Sequence, residues 1–102
     1  MNFKVWKKEE IKLLLETNDE MVARSVKTLY EFQTTEEQIE KTTSANNGVG
    51  FNGHDAEFMS NIAEWLLSGR TLTHKQLNIA RKKIIKYSNQ LASIANARQR
   101  YA

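Results

Sequence analysis

Residues 73–98 read THKQLNIARKKIIKYSNQLASIANAR, and the reading of this stretch decides the fold. Thr73 and Gln76 form a capping box, in which an N-cap hydroxyl and a side chain three residues on satisfy each other's free backbone donors. Leu72 and Leu77 flank it at the positions of a hydrophobic staple. With residues placed at about 100° per step, Leu77, Ala80, Ile84, Tyr87, Leu91, Ile94 and Ala95 fall on one side and Lys75, Lys82 and Lys86 on the other. The pattern predicts one long amphipathic helix over 74–98, apolar toward a core and basic toward solvent.

The rest of the chain repeats this logic. There is no proline, and period-two alternation is scarce, so helices are expected throughout. Gly69 is a C-terminal stop for a helix that carries Phe58, Met59, Ile62, Ala63 and Leu66. Asn52 is its N-cap, with Asp55 in the first turn where the helix dipole favours an acid. Thr17 to Glu20 (TNDE) is a second capping box, opening a helix with Val22, Val26, Leu29 and Tyr30 on one stripe. A first helix over residues 6–16 buries Ile11, Leu14 and Leu15, and Thr35 to Gln38 (TEEQ) opens a short, polar one. The expected architecture is all-α: a single domain of 102 residues built as a compact bundle of four main helices plus one short helix, its last few residues a flexible basic tail.

The net charge of +3 hides a division. Residues 1–69 hold seven Lys/Arg against twelve Asp/Glu, whereas residues 70–102 hold eight Lys/Arg and no acid. Such asymmetry points to a polyanionic partner or to self-neutralisation. The basic set is Arg70, Lys75, Arg81, Lys82, Lys83, Lys86, Arg98 and Arg100. Lys75, Lys82 and Lys86 span about 16 Å at 1.5 Å per residue, enough to follow several phosphates. The acids that would neutralise this half instead are Glu16, Asp19, Glu20, Glu36, Glu37 and Glu40. Ile79 and Ile85 lie off the core side and are expected to pack on a neighbouring helix.

Other chemistries find little support. There is no cysteine, which excludes disulfides, thiolate metal sites and a cysteine nucleophile. His54 and His74 lack metal-ligand spacing, and no metal or cofactor is expected. Glu57, Asn61 and Glu64 share a helix face that reads as a solvated surface rather than an acid–base pair. Trp6, Trp65 and Tyr87 could stack on bases, but Trp65 and Tyr87 read as core. Tyr101 with Arg98 and Arg100 forms a basic–aromatic end. Gly48, Gly50 and Gly53 in NNGVGFNGHD (46–55) spell G-x-G-x-x-G, yet the preceding residues are polar rather than a buried strand. No carboxylate stands about 20 residues on, so the dinucleotide context fails. These glycines are expected to supply positive φ in a chain reversal, with Phe51 stapled onto Ala56. No apolar run reaches signal or membrane-span length, and the expected location is the cytoplasm of a bacterial host, without membrane contact.

The stretches TNDEMVARSVKTLYEFQTTEEQ, NGVGFNGHDAEFMSNIAEW, GRTLTHKQLNIARKKIIKYSNQL and IAN together resemble a family of small bacteriophage and mobile-element proteins. Similar stretches, with a GF-N-x-x-D-A start, an L-T-x-K-Q turn and a K-Y-x-x-Q-L ending, occur beside helicase-like domains. The resemblance spans residues 10–96 and implies a phage or prophage origin and a nucleic-acid-processing neighbourhood. It brings no catalytic residues.

The expected function is therefore a non-enzymatic nucleic-acid binder, DNA ahead of RNA, that uses the eight C-terminal cations on the phosphate backbone. The alternative is a protein-binding inhibitor or adaptor of a host or phage nucleic-acid-processing complex, an anti-defence protein for example. A continuous positive face favours the first. Interleaved acids and an exposed apolar patch around Ile79 or Ile85 favour the second.

Overall fold

In a computed structural model, residues 4–32 and 51–101 are described, with side chains through 98. They form an all-α bundle. Helix α1 (Lys8–Thr17) is followed after one residue by α2 (Asp19–Glu31), then by α3 (Ala56–Leu67), α4 (His74–Ile84), a 3-10 turn (Ile85–Tyr87) and α5 (Ser88–Tyr101). Helix α2 packs on α3 and α4, and α1 packs on α5. Ile11, Leu15, Val22, Val26, Leu29, Phe51, Met59, Ile62, Ile84 and Leu91 meet in one core, with Leu72, Leu77 and Ile85 packed against it. The short helix expected at 35–38 lies outside the described residues.

Several local expectations appear as bonds. Gln76 N–H donates to Thr73 Oγ1 at 3.1 Å and Thr73 N–H to Gln76 Oε1 at 2.9 Å, a complete capping box. Gly69 adopts φ +90, and its N–H donates to the Leu66 carbonyl, closing α3 with a conformation that L side chains rarely take. Phe51 and Ala56 are both buried. The first helix begins at Lys8 rather than Trp6, and the Glu10 carboxylate accepts the Lys7 N–H at its start.

Three expectations are corrected. The box expected at Thr17 and Glu20 does not form, and a single cap bond is made one residue on. Because α1 runs through Thr17, the Thr17 hydroxyl donates back to the Leu13 carbonyl. The extended Asn18 then ends α1 and caps α2, its Oδ1 accepting the Met21 N–H at 3.1 Å. The long helix over 74–98 is also interrupted: at residues 85–87 the chain tightens into the 3-10 turn, so α4 and α5 are separate helices. Finally, Gly69 is the only positive-φ glycine among the described residues. Gly53 needs no left-handed conformation, and Gly48 and Gly50 lie outside them.

Past the turn, α5 continues to Tyr101, with no proline or glycine to stop it where a loose tail was expected. Asn96 holds the N-terminal segment to this helix by two bonds, accepting Trp6 N–H at 2.7 Å and donating to the Trp6 carbonyl at 3.0 Å.

Candidate nucleic-acid interface

The cations of α4 divide according to what lies beside them. Asp55 precedes α3, and its carboxylate is fully buried. A buried carboxylate must be paired or change its protonation, and here three groups reach it. Lys86 Nζ lies 2.7 Å away and Lys83 Nζ 3.3 Å away, and the Tyr87 hydroxyl donates at 2.7 Å. The same Tyr87 oxygen accepts the Asn52 N–H at 3.0 Å. Asn52 Oδ1 in turn accepts the Asp55 N–H at 2.9 Å. Asn52 thus makes a capping bond as expected, but it caps the turn before α3, and regular helix begins at Ala56.

Asp55 itself makes no capping bond with its side chain. It still stands at the N-terminal end of α3, where two ammonium groups pair with its carboxylate. Burial pushes its carboxyl up, but Lys86, Tyr87 and Lys83 together outweigh that and hold it below the usual carboxylate range. Burial, reinforced by Asp55, pushes the Tyr87 hydroxyl far above its ordinary value, so it stays protonated and donates. The 3-10 turn carries both Lys86 and Tyr87 of this cluster.

Lys86, expected on the solvent face with Lys75 and Lys82, is therefore bound into the fold. Arg81 is also engaged: its Nε donates to the Leu15 carbonyl at 2.8 Å and its Nη2 pairs with Asp19. Arg98 Nη2 stands 3.4 Å from Glu31. Arg70 is exposed, with its guanidinium 4.5 Å above the Trp65 ring. Lys75 and Lys82 are exposed and make no ion pair among the described residues. The Arg100 side chain is not among those described. Of the acids expected to neutralise the basic half, Asp19 does so, and Glu36, Glu37 and Glu40 lie outside the described residues. Asp55 and Glu31, which were not expected to neutralise it, do so as well.

Asp55 does not cancel the surface charge of Lys83 and Lys86. Asp55 is 0 % exposed, whereas the Lys83 and Lys86 side chains are 28 % and 47 % exposed. The trio carries a net single positive charge, and its cations, rather than its buried anion, reach the surface. The pairs made by Arg81 and Arg98 are neutral and point toward α1 and α2.

The remaining candidates take ordinary places. Tyr87 is core, whereas Trp65 is half-buried with its indole N–H on the Thr71 carbonyl. Ile79 and Ile85 are half-buried, so neither makes an exposed patch. Glu57 and Asn61 are exposed, and Glu64 accepts a bond from the Tyr30 hydroxyl at 3.3 Å. Among the described residues no three His, Cys, Asp or Glu side chains converge as metal ligands, and no helix is long and apolar enough to cross a membrane. No protein-family model, curated protein or solved structure matches the chain.

Proposed function

We propose that the chain is a non-catalytic accessory protein that binds nucleic acid through the phosphate backbone, with the outer face of α4 as its contact surface. The observation that carries this reading is that Lys75 and Lys82 stand exposed without an acid partner among the described residues, while Asp55, the acid that pairs with Lys83 and Lys86, is buried beneath them. Arg70 extends the surface at one end and Lys86 at the other. Arg81, Lys83 and Arg98 stabilise the bundle and contribute little to contact, so the surface is smaller than the eight cations suggest. Phosphate contacts of this kind confer affinity without base readout. The preference for DNA and the phage origin rest on the sequence resemblance alone.

The test is fluorescence anisotropy at low salt with labelled duplex DNA, single-stranded DNA and RNA of unrelated sequences. Binding with little dependence on sequence is expected. No binding to any of the three contradicts the reading. The adaptor reading is favoured by one separate observation, an apolar groove on the side of α5 away from this surface.

A further inference from the structure

Two cavities lie against the same stretch of α5 and follow one another along α2 toward Phe32 at its end. One, of about 430 Å³, is walled by Trp6, Ile11, Leu14, Met21, Leu91 and Ile94. The other, of about 340 Å³, is bounded by Phe32, Gln90, Ser93 and Ala97. Ile94 and Arg98 border both, so the two make one groove divided by these two side chains. No residue of α4 lines either part.

The groove holds polar atoms that the fold leaves without partners. Ser25 is 2 % exposed, lines the larger cavity, and its Oγ makes no hydrogen bond. Gln90 Oε1, in the smaller cavity, is buried and equally unpartnered. Orphaned buried polar atoms are rare because each forfeits its hydration. Two of them along one groove point to a ligand that carries hydrogen-bonding groups. The rim is cationic. Arg24 is exposed beside Ser25 and unpaired among the described residues, and Arg98 shares its charge only with an exposed Glu31 at 3.4 Å.

We propose that this groove docks an amphipathic helix of a partner protein that presents two apolar side chains about a turn apart and carboxylates on its flank. Two sockets in line suit the i and i+3 or i+4 anchors of a helix better than one compact molecule does. Each socket exceeds the volume of a single large side chain. The carboxylates meet Arg24 and Arg98, and polar side chains beside the anchors satisfy Ser25 and Gln90. This surface is independent of the α4 face, so it stands whether or not the protein binds nucleic acid.

The experiment is a ¹⁵N-NMR titration of the full chain with designed helical peptides of roughly 14 residues, about four turns. They share one leucine stripe and carry either glutamate or lysine flanks. The glutamate peptide is expected to shift the amides of Leu14, Ser25, Ile94 and Arg98 and leave Lys75 and Lys82 unmoved. The lysine peptide is expected to bind at least about tenfold more weakly, the scale of one rim charge pair. Arg24→Glu, at an exposed position that the fold does not need, should reverse that order. Equal binding of both peptides, shifts confined to α4, or no shift at millimolar peptide would overturn the proposal. So would concentration-dependent self-association in sedimentation that Arg24→Glu abolishes, which would assign the groove to a second copy of the chain.

Discussion

Lys82 and Lys86 stand one helical turn apart in the sequence and differ in almost everything else. Lys82 is exposed and unpaired among the described residues, whereas Lys86 reaches a fully buried carboxylate at 2.7 Å. Periodicity places both on the same stripe, because an angle on a helical wheel depends only on neighbours along the chain. What separates them is Asp55, about thirty residues earlier, which the packing of α3 brings beneath the end of α4. A stripe of like charges can thus hold two populations, one fastening the fold and one facing solvent. Lys82 should report on binding alone, whereas Lys86, half exposed within its ion pair, should report on stability as well.

The fastening half should give the largest effects. Asp55→Asn keeps the shape of the side chain but removes the charge that two lysines share. Breaking a buried pair costs about 3–5 kcal/mol, and because both lysines can reach water the loss should fall near about 3, readable by thermal or denaturant unfolding. The effect is pH-dependent. Asp55 has a lowered folded pKa, so its stabilisation is fully present above the unfolded value of about 4 and is lost as pH falls through the folded value. The gap in stability between wild type and Asp55→Asn should therefore be widest near neutrality and close below about pH 4. A gap that is constant across that range would show that the carboxylate charge is not what holds the cluster.

Tyr87→Phe comes next. It deletes a hydroxyl that donates to Asp55 and accepts from Asn52, while the ring keeps its edge contact with Phe51. The expected loss is about 2 kcal/mol, that of a hydrogen bond to a charged group. Thr73→Ala removes the cap of α4 and should cost about 1 kcal/mol, a fall in melting midpoint of about 4–8 °C for a domain of this size. An unchanged midpoint would mean that the Thr73 bond contributes nothing net.

The parts legible in the sequence were those whose cause is local. The Thr73–Gln76 box, the Gly69 stop and the core stripe of α2 each depend on residues within a turn or two, and they stand where the spacing predicts. The TNDE box misled because two residues in succession can cap. Only where α1 ends decides between Thr17 and Asn18, and the spacing of the residues does not fix that end. The break at residues 85–87 has no glycine or proline to announce it. It coincides with Lys86 and Tyr87, whose side chains both reach Asp55. One signal was available: a tyrosine on a core stripe must find a partner for its hydroxyl. The K-Y pair of KYSNQL and the N-x-x-D of FNGHD are complementary in that respect. The stretches FNGHDA, LTHKQ and KYSNQL map onto this buried cluster, the α4 cap and the start of α5. The groove along α5 was not legible at all, because it is defined by side chains of three helices and by what they leave uncovered.

The solvent-facing half of the comparison carries the functional claim. Lys75→Gln with Lys82→Gln should leave the stability within about 0.5 kcal/mol of wild type, as surface changes away from a built feature usually do. The most direct measurement is the slope of log K against log salt for duplex DNA, taken by anisotropy on wild type and on this double variant. If the outer face of α4 contacts phosphates, the variant should bind more weakly on every sequence. Its slope should shrink by about 0.9 for each phosphate that is no longer neutralised. A folded double variant with the affinity and slope of wild type would contradict the assignment of the surface.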